Sequence, residues 1–310
     1  MKIKRKVIYE RNNTIERSSK ILGMFRVIFL IMLVTLAFCG GKYIFNSNHD
    51  SITIDSIRQY IDSTDKASEN KMQLDWKEVA SIYGAKKGND INEVNYSVVS
   101  EIANNFYNDD EVIKFKDAIY KNNLSKIEEK KAYKILEELN DVSIRRKLDG
   151  PNEVKDKFIE SLIEPSKEVY KKYGILPSVL ISQAILESDW GRSDLASKYK
   201  NYFGIKADKS WTGYKVQMTT KENHSDIIKD YFRAYDSIEE SVDDYGEFLN
   251  NNSRYRNNGV FSAKSYIQQA QALEDAGYST VKNDSGEKIY ADLLINIIKD
   301  NNLMIIDSKL

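Results

Sequence analysis

The chain has 310 residues, 41% of them hydrophobic and 30% charged, enough for one sizeable core or two smaller domains. Its net charge of −1 carries no global signature of nucleic-acid binding. A single cysteine, Cys39, excludes an intrachain disulfide, and two histidines, His49 and His224, speak against a His-rich metal site and against Ser-His-Asp catalysis.

Residues 1–20 are basic, with Lys2, Lys4, Arg5, Lys6, Arg11, Arg17 and Lys20 against Glu10 and Glu16. Val27 to Gly41 then runs without a charge, between Arg26 and Lys42. With both cations snorkelling, a helix over 21–45 would cross a hydrocarbon core of ~30 Å at ~1.5 Å per residue. The cationic flank is N-terminal, so the expected product is a single-pass anchor in the cell membrane, with a cytoplasmic tail over 1–20 and the remainder outside. A cleaved signal peptide ranks second, because the basic region is long and no A-x-A site follows. A lipid anchor on Cys39 ranks last, because the bulky Phe38 precedes it.

Residues 46–70 are polar and read as a stalk, with room for a short helix at Ile57–Ile61. Helical spacing begins after Met72, where Leu74, Val79, Ile82 and Tyr83 recur beside Trp76. VSEIANNFY and DEVIKFKDAIY read as further helices, and KIEEKKAYKILEEL as a charged amphipathic one. Residues 71–148 hold no carboxylate pair with partners and no metal-ligand spacing. Residues 71–150 read as a small helical spacer domain with Trp76 in its core, or as an arm that docks a membrane or cell-wall protein partner. Asp149-Gly150-Pro151 breaks the pattern and marks a boundary.

Residues 151–310 carry the chemistry. VKDKFIESLIEPSKEVYKKYG predicts a helix broken or kinked at Pro165 and capped by Gly174. Pro177 suits the first turn of the next helix, VLISQAILES, which is apolar nearly all round and therefore buried. Glu187 lies at its end. Burial disfavours a carboxylate, and a glutamic acid that keeps its proton near neutral pH can protonate a glycosidic oxygen. Trp211-Thr212-Gly213-Tyr214 followed by KVQMTTKE alternates as a β-hairpin does.

Five blocks in order, LPSVLISQAILESDWGRSDLA, NYFGIK, the Trp-Gly hairpin segment, FRAYDSIEESVDDYGEFL and ALEDAGYST with YADLLINII, resemble glycoside hydrolase family 73. These are bacterial β-N-acetylglucosaminidases with a lysozyme-like fold, and the likeness spans roughly Phe158 to Leu303. It implies an α+β, mostly helical architecture: a lysozyme-like catalytic domain with one β-hairpin, preceded by the small helical domain and the transmembrane helix. It implies an endo-β-N-acetylglucosaminidase that cuts the β-1,4 bond on the reducing side of N-acetylglucosamine in peptidoglycan. Glu187 matches the family's general acid. Glu222, in the Thr220-x-Glu222 pattern, matches a second carboxylate, although Asn223 follows where the family often has Tyr; an ordinary exposed loop glutamate is the other reading. Tyr278, in AGYST, matches a tyrosine that orients the substrate or the attacking water. Asn201, Tyr202 and Phe203 match a cleft-lining loop and, with Trp211, are the expected substrate-binding residues; Phe203 also suits a core position, as does Trp190. Arg233 is expected to anchor the hairpin through an ion pair. No metal or organic cofactor is implied. The rival readings are a lytic transglycosylase, for which the Gly-Leu-Met-Gln block is missing, and a non-catalytic glycan-binding scaffold.

Overall fold

A computed structural model describes residues 51–109, 111–222 and 226–310, without the side chains of 220–228. The expected tail and anchor, residues 1–45, lie outside the described residues. Among the described residues no helix is long and apolar enough to cross a membrane.

The described chain is mostly helical. In order come α1 (Ile54–Ala67), α2 (Trp76–Lys86), α3 (Tyr96–Asn104), β1 (Tyr107–Asn108), β2 (Glu111–Val112), α4 (Phe115–Lys121), α5 (Lys126–Leu139) and α6 (Ile144–Asp149). Then follow α7 (Glu153–Tyr173), α8 (Pro177–Ser188), α9 (Asp194–Tyr199), β3 (Lys215–Glu222), β4 (Asp226–Arg233) and α10 (Ile238–Asn251). The chain closes with α11 (Ser253–Asn257), α12 (Tyr266–Asp275), α13 (Tyr290–Asn301) and α14 (Met304–Asp307).

Local chemistry sets most of these ends. Thr53 caps α1 by accepting the Ser56 N–H at 3.1 Å, and Ser125 and Glu128 form a reciprocal capping box on α5. Gly174 ends α7 at φ 75°, as the sequence predicts. The predicted break at Pro165 does not occur: α7 runs unbroken through it for 21 residues. One missing N–H costs less than abandoning a helix whose Leu162, Ser166 and Val169 are buried on one face. Among the described residues the sheets are two antiparallel pairs, β1–β2 and β3–β4. The first joins the end of VSEIANNFY to the start of DEVIKFKDAIY, both read as helix from the sequence; the second is the expected hairpin, with Lys215 opposite Arg233 and Glu222 opposite Asp226.

The expected stalk and spacer take a different form. Residues 52–310 form one compact unit with no division at Asp149–Pro151. Segment 54–67 is a full helix that buries Ile57, Tyr60 and Ile61. Trp76 is fully buried, stacks on Tyr60 at 6.4 Å and donates its Nε1–H to Asn302 Oδ1 at 3.1 Å, beyond the end of α13. Arg145 Nε reaches Asn301 Oδ1 at 2.7 Å, Asn302 Nδ2 donates to the Val142 carbonyl at 2.7 Å, and Lys299 pairs with Asp62 at 2.8 Å. These long side chains tie the N-terminal helices to the C-terminal ones. The core is continuous because no apolar face of α1 or α2 is left for water.

Candidate active site

Helix α8 is buried from Pro177 through Ile185, as its all-round apolar sequence requires. Its N-terminus has no side-chain cap of its own. Asp307, from the end of α14, accepts the Ser178 N–H at 3.0 Å and the Ser178 hydroxyl at 2.5 Å instead. Burial pushes the Asp307 carboxyl up to about 7.

At the other end the chain makes a turn of three successive left-handed residues, Asp189 (φ 52°), Trp190 (φ 59°) and Gly191 (φ 74°). Ser188 holds that turn: its hydroxyl donates to the Ala184 carbonyl at 2.5 Å and accepts the Gly191 N–H at 2.7 Å. A Cβ on residue 191 would come within 2.7 Å of the Phe158 ring, so glycine is required by contact as well as by φ. The Glu-Ser-x-Trp-Gly run is thus a device that stops α8 one residue after Glu187.

Glu187 is open to solvent on one side and crowded by protein on the other. That crowding pushes its carboxyl above the usual glutamate range, and a hydrogen bond from Tyr290 only partly offsets the effect. The Tyr290 hydroxyl donates to Glu187 Oε1 at 2.9 Å. Gln183 Nε2, one turn earlier on α8, donates to the Tyr290 hydroxyl oxygen at 3.1 Å. Gln183 Oε1 in turn accepts the Tyr245 hydroxyl at 2.6 Å. Gln183, Tyr245 and Tyr290 are all buried. Tyr278 stacks on Tyr290 with ring centroids 5.3 Å apart and meets Tyr245 edge-on at 6.2 Å. Its hydroxyl is held well above the ordinary tyrosine value, by burial first and then by the Glu187 charge.

Two expected residues, Glu187 and Tyr278, therefore meet around Tyr290. Glu222 ends β3, and its side chain lies outside the described residues. The expected cleft-lining loop is instead internal. Asn201 is 1% exposed, and its amide is spent on backbone: Nδ2 donates to the carbonyls of Ile205 (3.0 Å) and Arg233 (2.9 Å), while Oδ1 accepts the Ile205 N–H (3.0 Å). It staples the loop to β4, with both Nδ2 hydrogens given to backbone carbonyls. Tyr202 is buried against Phe158 at 5.8 Å. Phe203 stacks flat on Tyr245 at 3.9 Å and supports the tyrosine cluster from within the core. Trp211 is half-buried at the base of the hairpin, its Nε1–H given to the Tyr214 carbonyl at 2.9 Å and the Arg233 guanidinium 4.5 Å above its ring. Arg233 also pairs with both Asp244 oxygens at 2.8 and 2.9 Å, the ion pair expected of it. Neither periodicity nor the block resemblance assigns a role to Gln183, Tyr245 or Tyr290. Only Gln183 left a signal, four residues before Glu187 on the same helix face. Among the described residues no group of three or more His, Cys, Asp or Glu side chains is placed to hold a metal ion.

Comparison with known proteins points the same way as this geometry. Residues 164–303 match the family model described as Glucosaminidase: Mannosyl-glycoprotein endo-beta-N-acetylglucosaminidase. The exo-glucosaminidase LytG of Bacillus subtilis (strain 168) is 38% identical over 154 residues, covering 47% of this chain and 51% of that protein. The peptidoglycan hydrolase FlgJ of Escherichia coli (strain K12) is 35% identical over 149 residues, covering 46% of this chain and 45% of that one. The glycoside hydrolase domain of Salmonella typhimurium FlgJ is a solved structure at 31% identity and TM-score 0.39, covering 49% of this chain and 90% of that one. The chain spans about half the length of the curated relatives it matches. Residues 164–303 thus match a glucosaminidase family model, and the curated relatives that share this stretch are named an exo-glucosaminidase and peptidoglycan hydrolases.

Proposed function

We propose that this protein cleaves the glycan strand of peptidoglycan at the β-1,4 bond on the reducing side of N-acetylglucosamine, with a lysozyme-like catalytic domain. The observation that carries this reading is Glu187, solvent-open on one side, held above the usual glutamate range by burial and hydrogen-bonded by Tyr290. A carboxyl in that state keeps a proton to give to the departing glycosidic oxygen while the sugar gains oxocarbenium character. Tyr278, packed against Tyr290, orients the substrate or the attacking water. Glu222 on the hairpin is the second carboxylate; it activates water across the ring, or it stabilises positive charge while the substrate's own N-acetyl group attacks. One relative, 35% identical, is called a probable N-acetylmuramidase, a name that points to the other β-1,4 bond of the strand, whereas the exo-glucosaminidase name agrees with the bond proposed. The apolar stretch 21–45 would anchor the chain in the cell membrane, with the catalytic domain outside and the N-terminal helices free to meet a wall or membrane protein.

Product analysis tests this. The full chain and its Glu187→Gln and Glu222→Gln variants are incubated with purified peptidoglycan, and the reduced products are identified by mass spectrometry. Reduced N-acetylglucosamine ends, lost with Glu187→Gln, are expected. Reduced muramic ends would move the cut to the other bond. Anhydro-muramic ends would make the protein a lytic transglycosylase, and no products with retained glycan binding would make it a scaffold.

A further inference from the structure

Three hydrogen bonds in series lead to Glu187, and they run in one direction. An amide nitrogen only donates, so Gln183 Nε2 must give its hydrogen to the Tyr290 oxygen, 3.1 Å away. The amide is held in that orientation because its other atom, Oε1, accepts the Tyr245 hydroxyl at 2.6 Å. With one lone pair of Tyr290 filled by Gln183, the Tyr290 hydrogen points to Glu187 Oε1 at 2.9 Å. A buried chain of this kind has no water with which to rearrange, since Gln183 is 0% and Tyr290 2% exposed. The tyrosine ring cannot swing away either. It stacks on Tyr278 at 5.3 Å, and Tyr278 itself abuts Tyr245 and Tyr255 at 6.2 Å each.

We infer that Tyr290 and Gln183 are positioning residues for the reaction: the relay from Tyr245 through Gln183 and Tyr290 reserves Glu187 Oε1 as an acceptor and so leaves Oε2 to carry the acidic proton. This rests on Glu187 being the acid. In the protonated state the Oε1 atom is then the carbonyl oxygen, held by Tyr290, and the O–H on Oε2 is the group free to face the glycosidic oxygen. When that proton has been given away, the Tyr290 hydroxyl remains on Oε1 and stabilises the carboxylate that has formed. The relay therefore fixes which oxygen reacts and supports the charge that develops, without any atom of Tyr290 or Gln183 joining the transferred proton's path.

The test uses the full chain and the variants Tyr290→Phe, Gln183→Met and Glu187→Gln. Infrared difference spectra against Glu187→Gln isolate the carboxylic C=O stretch of Glu187 and follow its loss as pH rises. Turnover on peptidoglycan is measured across the same pH range. A carbonyl that accepts a hydrogen bond stretches at lower frequency than a free one. Tyr290→Phe is expected to raise that frequency, to move both the titration and the alkaline limb of turnover to higher pH, and to lower kcat about tenfold to a hundredfold with KM little changed. Gln183→Met, which keeps the tyrosine, is expected to broaden the band and lower kcat by a smaller factor. An unshifted C=O band in Tyr290→Phe would overturn the oxygen assignment. Titration, alkaline limb and kcat all matching the wild type in both variants would reduce the relay to packing. Full activity in Glu187→Gln would instead overturn Glu187 as the acid, while the infrared arm would still report on the hydrogen bonds.

Discussion

Two residues beside Glu187 exist to stop its helix, and their loss should be felt as stability. Ser188→Ala would leave the Gly191 N–H without its 2.7 Å acceptor, which is expected to cost about 1–3 kcal/mol in denaturant unfolding. Gly191→Ala adds a left-handed penalty of ~1–2 kcal/mol and forces Phe158 to move, so it should be the more damaging of the two. Glu187 itself should behave in the opposite sense. Its folded pKa is raised, so the folded state binds this proton more tightly than the unfolded chain does. Stability from this group is complete below the ordinary glutamate value and is lost as pH rises through the folded value. Glu187→Gln is therefore expected to abolish turnover and yet raise the melting temperature at neutral pH, measured by calorimetry. Wild-type turnover should fall on the alkaline side as the acid loses its proton, with the limb above the ordinary value of 4.5.

Among the elements, α8 and the β3–β4 hairpin depend on partners distant in sequence. Asp307 caps α8 from 129 residues away. Its folded carboxyl titrates at about 7 against an ordinary 3.8, so its contribution declines as pH rises between those values. Asp307→Asn should flatten the pH dependence of stability in that window; an unchanged slope would sink the assignment. The hairpin is pinned at its base by Arg233, which lies over Trp211 and pairs with Asp244, the two charged side chains being 12% and 16% exposed. Asp244 also accepts the Tyr235 hydroxyl at 2.6 Å. Removing one partner of so buried a pair strands the other, and Asp244→Ala is expected to cost ~3–5 kcal/mol. Amide exchange should then quicken through β3 and β4 before it quickens in α8.

At the scale of the molecule, residues 52–310 behave as one core, and the N-terminal helices are part of the catalytic body's support. Trp76, fully buried and bonded to Asn302, is the clearest link. Trp76→Ala should cost ~3–5 kcal/mol and lower the temperature of a single thermal transition that both halves share. Two separate transitions in calorimetry, with only the first moved by the variant, would contradict this.

The sequence by itself determined what depends on neighbours a few residues apart. Helix α5 spans the KIEEKKAYKILEEL segment, Gly174 ends α7, Pro177 opens α8, and KVQMTTKE forms β3. Capping, left-handed glycines and apolar periodicity act within one or two turns, so they can be read along the chain. Helix periodicity marks Glu187 as a carboxyl at the end of a largely apolar helix, but its expected role as the acid comes from the AILESDWG resemblance. Tertiary structure alone decided the rest. Pro165 is tolerated because one face of α7 is already buried, and segment 54–67 is a packed helix because Tyr60 finds Trp76. Asn201 turned inward because two carbonyls and an N–H, with Arg233 contributing from 32 residues away, needed partners. Tyr290 reaches Glu187 across 103 residues and Tyr245 reaches Gln183 across 62. No periodicity encodes such meetings, since a hydrogen bond between buried side chains is set by how helices pack, and packing is a property of the whole core.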